Sequence, residues 1–316
     1  MPPHNDPSLS PLESRLGAEA FRLRLRAEQS LGGAIRRFSM SPRSNAAKMI
    51  LGSGVARFCT RAVGLNRLGY RAYLRICVVD RVLRLPDLPA ALEDFIILHL
   101  SDLHLDLDPG FVPALIQRLQ GLQYDLAVIT GDFRNKTFGP LEPTIAACRA
   151  VLRHLHPPVY AVLGNHDPLA LVPPLEAAGI RFLLNEHVAL AHRGAPLVLA
   201  GVDDSVYYRT HDLARALAGS PAGAPRILLS HSPSLHRLAA AHGIHAMLAG
   251  HTHGGQVCLP GGHIVIASEP SPRKFLRGPW EHDGVQGYTS SGTGACGVPF
   301  RLNCPAEITR HILRRA

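Results

Sequence analysis

A chain of 316 residues, 46% hydrophobic and 18% charged, has room for one large domain with an appendage or for two small ones, and its composition excludes a disordered polymer. The formal charge of +9 is uneven: residues 1–90 hold 15 Lys and Arg against 6 Asp and Glu, while the remainder holds 18 of each sign. Basicity confined to an N-terminal arm argues against an enzyme of long nucleic acids, which would carry its cations around the site.

Six cysteines (Cys59, Cys77, Cys148, Cys258, Cys296 and Cys304) show no paired spacing and read as reduced thiols in a cytoplasmic setting. No stretch approaches the 18 or so uncharged apolar residues of a membrane span. The longest, Met49 to Ala56, is closed by Lys48 and Arg57. Arg36-Arg37-Phe38 is similar to a twin-arginine export signal, but the polar, basic residues after it argue against export.

Residues 1–14, rich in Pro and Ser, are expected to be disordered. On a helical wheel Phe58, Leu65, Leu68, Ala72 and Ile76 cluster on one side, with Arg67, Arg71 and Arg75 beside them. That is the pattern of an interfacial helix whose Arg stems snorkel toward headgroups. The alternative is an ordinary helix packed on the body, and Gly64 and Gly69 weaken either one by about 1 kcal/mol each. The expectation is a basic arm over residues 1–87, partly disordered, meeting an anionic membrane surface from the cytoplasmic side; a solvated extension is the alternative, and nucleic acid is not an expected partner. Residues 76–85 fit strand or helix, and Pro86 and Pro89 mark the approach to a main domain over residues 88–316.

From there strands and helices alternate. Strands are expected at 95–98, 125–130, 159–163, 226–229 and 244–249, helices at 111–120, 141–155, 169–178 and 234–242. Segments 180–191 and 196–202 are β-rich, and closing strands fall at 287–291 and 308–313. Alternation of this kind argues α/β.

Five polar runs follow the apolar strands: Asp102-Leu103-His104, Gly131-Asp132, Gly164-Asn165-His166-Asp167, Ser230-His231 and Gly250-His251-Thr252-His253-Gly254-Gly255-Gln256. Ligand sites in open α/β sheets lie beyond the carboxyl ends of strands, where all five runs fall. On extended backbone Asp102 and His104 would point the same way, as would His251 and His253. The donors number four imidazoles, two carboxylates (Asp102 and Asp132) and the Asn165 amide. A mixed nitrogen and oxygen set without thiolate suits Mn²⁺, Fe or Zn²⁺ in a binuclear site and disfavours a structural zinc. Arg134 and Arg301 are candidates to meet a substrate phosphate, with a loop salt bridge as the alternative for Arg134. Asp203-Asp204 reads as a turn, and His99, His154, His156 and His245 as surface or packing residues.

These runs, with Gly292-Thr293-Gly294 and Arg301-Leu302-Asn303-Cys304-Pro305-Ala306-Glu307-Ile308, resemble the calcineurin-like metallophosphoesterase family over residues 88–313, and within it the branch containing the bacterial proteins YaeI and YkuE. The resemblance implies a four-layer α/β/β/α sandwich with two divalent metals, Mn²⁺ foremost. By resemblance Asp102, His104 and His253 hold one metal, Asn165, His231 and His251 the other, and Asp132 bridges. A hydroxide between the ions would attack phosphorus in line. His166 would be the catalytic acid or electrostatic stabiliser, oriented by Asp167 from its other ring nitrogen. The expected activity is hydrolysis of a phosphodiester or pyrophosphate, on a lipid-linked nucleotide such as UDP-2,3-diacylglucosamine. A nuclease or cyclic-nucleotide phosphodiesterase and a non-catalytic scaffold on the same fold are the alternatives.

Overall fold

The computed structural model describes residues 7–29, 65–265, 267, 269 and 271–316. Residues 1–6, Arg36-Arg37-Phe38, the stretch from Met49 to Ala56, Phe58, Cys59 and Gly64 lie outside the described residues. Among the described residues no helix is long and apolar enough to cross a membrane.

The first described elements are a 3-10 turn (Pro7–Leu9), α1 (Ser10–Leu16) and α2 (Ala18–Gln29), so residues 7–14 are helical where disorder was expected. Leu9, Leu12 and Leu16 recur at helical spacing and are buried together with Phe21 and Leu25. That apolar stripe outweighs the Pro and Ser content, and Pro11 sits in the first turn, where its missing N–H costs nothing. In α3 (Leu65–Leu74) the buried residues are Gly69 and Tyr73, whereas Leu68, assigned by the wheel to the apolar face, is 56% exposed. The helix packs on the body: Tyr73 stacks on Phe111 with 5.2 Å between ring centroids. Gly69 is there because a Cβ would lie 2.0 Å from the Phe300 ring.

The chain continues through β1 (Cys77–Leu85), β2 (Ile96–Leu100), α4 (Phe111–Leu119), β3 (Leu126–Thr130), α5 (Glu142–Leu152), β4 (Val159–Val162), α6 (Val172–Glu176) and β5 (Ile180–Phe182). Then come β6 (Glu186–His192), β7 (Ala195–Gly201), α7 (Leu213–Leu217), β8 (Arg226–Leu229), α8 (His236–Ala241) and β9 (Ala246–Ala249). A short hairpin of β10 (Cys258–Leu259) and β11 (His263–Ile264) precedes β12 (Gly278–His282), β13 (Val285–Thr289) and β14 (Glu307–Arg315). Helix α7 and strands β10 and β11 carry too few residues to show a period in the sequence.

Two six-stranded sheets result, ordered β1-β14-β2-β3-β4-β5 and β12-β13-β9-β8-β7-β6. Strands β2 to β5 are parallel to one another, as are β7, β8, β9 and β13, with antiparallel partners at β14, β6 and β12. The central strands are apolar on both faces because both are covered. Ile97, Leu126, Val128 and Val162 face Leu199, Ile227, Leu229 and Leu248 of the other sheet. Leu98, Leu100, Ala127 and Ile129 face the helices from α1 to α6, while Leu228, Met247 and Ala249 face α7 and α8. The fold is thus the four-layer α/β/β/α sandwich expected.

The N-terminal residues belong to this body more closely than a separate arm would. Strand β1 pairs along its whole length with β14, so a boundary at residue 87 cuts across the first sheet. Arg15 reaches Glu176 at 2.9 Å and Glu186 at 3.0 Å. Arg24 is fully buried, pairs with Asp203, lies over the Tyr208 ring and donates to the carbonyl of Asp167. Two of the cations counted toward a membrane surface are therefore spent inside the fold, whereas Arg67, Arg71 and Arg75 stay exposed.

Candidate metal centre

All five runs leave the carboxyl ends of parallel strands, three from the first sheet (β2, β3 and β4) and two from the second (β8 and β9). In three of them the backbone is not extended. Asp102, His104, Asp132, His251 and His253 have φ of 53°, 44°, 57°, 69° and 50°, in the left-handed region. The expectation that Asp102 and His104 converge through strand alternation is corrected: tight left-handed turns fold each side chain back over its strand end. Each such turn costs a non-glycine residue about 1–2 kcal/mol, so the surroundings must hold it.

The side chains form two buried groups that share Asp132. In one, ligand atoms of Asp102, His104, Asp132 and His253 all lie within 4.8 Å of one another; in the other, those of Asp132, His231 and His251 do. His104 Nε2 stands 3.1 Å from His253 Nε2 and 3.6 Å from Asp132 Oδ2. His253 Nε2 is 3.3 Å from Asp102 Oδ1. On the other side His231 Nε2 is 3.4 Å from Asp132 Oδ2, 3.0 Å from Asn165 Oδ1 and 3.2 Å from His251 Nδ1. Donors at about 2.1 Å from one ion lie roughly 3 Å apart when cis, which is the spacing seen.

Ring orientation agrees with ligation. His104 Nδ1 donates to the carbonyl of Arg134 at 2.9 Å, and His231 Nδ1 to that of Thr130 at 2.7 Å. A carbonyl only accepts, so each Nδ1 carries the proton and Nε2 faces the centre. Burial pushes His104 down to about 3 and lowers His253 well below the usual range. Burial also works against a charged His231, but the Asp132 carboxylate outweighs it and holds the ring at about 10. Burial likewise raises Asp102 to about 6. Asp132 resists the same upward push because His231 and His166 hold it well below the usual carboxylate range. Four imidazoles, two carboxylates and an amide, all buried and aimed inward, fit two divalent cations with Asp132 between them.

Asp167 does not orient His166. Its carboxylate accepts backbone N–H groups from Asp132, Phe133, Arg134 and Gly164, at 2.7, 2.9, 3.3 and 2.9 Å. It clamps the loop after β3 to the loop after β4. The two come so close that a Cβ on Gly164 would lie 2.1 Å from Asp132 Oδ1. His166 is oriented instead by the carbonyl of Asn135, which accepts from Nδ1 at 2.7 Å, and its Nε2 lies 3.9 Å from Asp132 Oδ2.

Both candidate arginines donate to backbone carbonyls. Arg134 is 2% exposed and donates to the carbonyl of Phe138 at 2.7 Å, closing its own loop. Arg301, fully buried, gives its guanidinium to the carbonyls of Ser291, Gly292, Gly294, Cys304 and Pro305. Asp203-Asp204 is more than a turn: Asp203 pairs with Arg24, and Asp204 accepts from the amides of Tyr207 and Tyr208. His99, placed among packing residues, is buried and heads a chain of hydrogen bonds. Its Nε2 meets Thr130 Oγ1 at 2.9 Å, Thr130 donates to Ser101 at 2.7 Å, and Ser101 donates to Asp102 Oδ2 at 2.6 Å. Ser101, Thr130, Asn135 and Cys296 are contributors that motif reading missed. Ser101 and Thr130 stand beside the Asp102 and Asp132 runs; Asn135 and Cys296 have no such signal.

Residues 95–255, about half of the chain, match the family model described as calcineurin-like phosphoesterase. A transmembrane protein with metallophosphoesterase domain from Bos taurus is 32% identical over 72% of this chain. The uncharacterized metallophosphoesterase YkoQ of Bacillus subtilis is 30% identical over 68% of it, and the phosphodiesterase YaeI of Escherichia coli 28% over 68%. The matched region spans 55% of the bovine protein, 82% of YkoQ and 80% of YaeI. The matched span takes in every strand end that converges on Asp132, and the chain belongs to the calcineurin-like metallophosphoesterases.

Proposed function

We propose that the protein hydrolyses a phosphodiester or pyrophosphate bond with two divalent cations. Asp102, His104 and His253 would hold one, Asn165, His231 and His251 the other, and Asp132 would serve both. The observation that carries this reading is the membership of Asp132 in both ligand groups. Two such cations supply Lewis acidity, lowering the pKa of a water and neutralising charge on the attacking and leaving oxygens. Mn²⁺, Fe and Zn²⁺ all suit the nitrogen and oxygen donors of these seven residues.

The protein's own groups do the rest. The His166 side chain is 17% exposed, whereas those of His104 and His231 are fully covered, so it faces the space from which substrate arrives. Burial lowers its affinity for a proton, but Asp132 outweighs that and holds the ring at about 9. In the metal-free protein His166 therefore carries a proton near neutrality. With Nδ1 pinned to Asn135, that proton is presented from Nε2 to the departing oxygen or to phosphoryl charge. A protonated donor matters most where the leaving group is an alkoxide and less where it is a phosphate.

Among substrates of that class, an amphiphilic nucleotide diphosphate such as UDP-2,3-diacylglucosamine draws on the exposed Arg67, Arg71 and Arg75 for contact with an anionic surface at the inner face of the membrane. The test combines metal content with turnover of bis(p-nitrophenyl) phosphate, p-nitrophenyl phosphate and that nucleotide by Mn²⁺-loaded protein. We expect two ions per chain and diester turnover above monoester turnover. In His166→Ala turnover should fall by about 10²–10⁴-fold with both ions retained. Unchanged diester turnover in that variant sinks the role of His166, and absence of UMP release sinks the lipid-linked nucleotide.

A further inference from the structure

Beside the seven expected ligands stands a thiol. Cys296 Sγ and the ring nitrogens of His104 and His253 lie within 4.8 Å of one another, a spread that ligands of one ion adopt. The sulfur is 4.0 Å from His166 Nε2, on the side of the site that His166 faces. Its placement is built in from two directions. The Gln256 side chain grips the Cys296 peptide at both ends, accepting its N–H at 2.8 Å and donating to its carbonyl at 3.1 Å. The next amide, Gly297, donates to Asn135 Oδ1 at 2.8 Å, and the carbonyl of that same Asn135 fixes His166. His253, 7% exposed, has no hydrogen-bond partner at Nδ1 among the described residues, so no such bond fixes its ring as the carbonyls fix His104 and His231.

The geometry points to Cys296 as a further ligand, through Sγ, of the cation shared by His104 and His253, the two residues with which its sulfur is grouped and with neither Asp102 nor Asp132; the assignment rests on the binuclear reading above. When the sulfur–metal bond forms, the thiol proton leaves to solvent. A thiolate in the set changes the metal that fits: soft sulfur favours Zn²⁺ or Fe²⁺ over Mn²⁺, against the expectation from a set without thiolate.

Cobalt is the probe. Full-length protein loaded with Co²⁺ should bind two ions per chain and show a near-ultraviolet thiolate-to-cobalt charge-transfer band. The band should vanish in Cys296→Ser with both ions still bound, and persist in Cys77→Ser and Cys148→Ala. In competition dialysis the zinc-over-manganese preference should drop on the order of tenfold in Cys296→Ser, the scale on which a centre's supporting groups alter affinity. X-ray absorption of the zinc-loaded wild type should show a sulfur neighbour at about 2.3 Å, independent of any variant's folding. Two bound cobalt ions without the band, or a band surviving in Cys296→Ser, overturn the thiolate assignment alone. Failure to bind two ions overturns the binuclear reading with it.

Discussion

Asp167 fastens loops that rise from the first sheet, and Arg301 fastens the loop leaving β13 beside the second sheet to the approach of β14; the two do so with opposite charge. Where backbone amides point inward, a carboxylate gathers them; where carbonyls point inward, a guanidinium does. Both side chains are fully buried, and the partners just named are backbone groups. The contrast teaches that a buried charge near a metal centre can be a brace for strained backbone. Asp132, at positive φ, is held by one brace, and Gly292 and Gly294, which lie against Asp102, by the other. Burial, then Asp132, pushes Asp167 up to about 6, and burial lowers Arg301.

If the comparison is right, removing the anionic brace does more damage. Asp167→Asn keeps the shape but turns N–H donors toward an amide NH₂, and should cost about 3 kcal/mol in urea unfolding because buried donors rarely tolerate being unpaired. Metal affinity should fall with it, since Asp132 loses its anchor. Arg301→Met should cost less, about 2 kcal/mol, because buried carbonyls tolerate the loss of one partner better than N–H groups do. Equal losses would break the asymmetry.

The smallest effect sharpens the metal side. His231 is held above its ordinary value, at about 10, so the folded metal-free protein binds a proton that the unfolded chain releases between pH 6.5 and 10. That stabilisation is fully present below about pH 6.5 and is lost as pH rises toward 10. Melting of chelator-treated protein should drop by a few degrees from pH 7 to pH 9.5. The metal-loaded protein should drop less, because a cation replaces the proton and loading releases it. Parallel melting curves with and without metal would contradict this.

The apolar strands and the runs after them were legible because ligand chemistry demands particular residue types at strand ends, and core burial demands apolar runs. Asp102, His104, Asp132, Asn165, His231, His251 and His253 needed no knowledge of neighbours to be picked out. The partner of His166 was not legible, because Asn135 contributes a carbonyl oxygen that any residue carries. The carbonyl partners of Arg301 and Arg134 were not legible for a related reason: an arginine beside a phosphate site and an arginine tying carbonyls together have the same sequence. Leu68 looked like part of the apolar face of α3, but it is exposed, and the buried side carries Gly69 under Phe300, more than 200 residues later, and Tyr73 on Phe111.

The sequence by itself determined the ligand types, the α/β alternation and the family, since each depends on local chemistry and periodicity. Only the tertiary structure decided that residues 7–29 and β1 belong to the body, that Asp167 holds amides and not an imidazole, and that Cys296 stands over the site. Those facts are contacts between residues distant along the chain, and a side chain's partner is set by what the fold brings within about 3 Å of it.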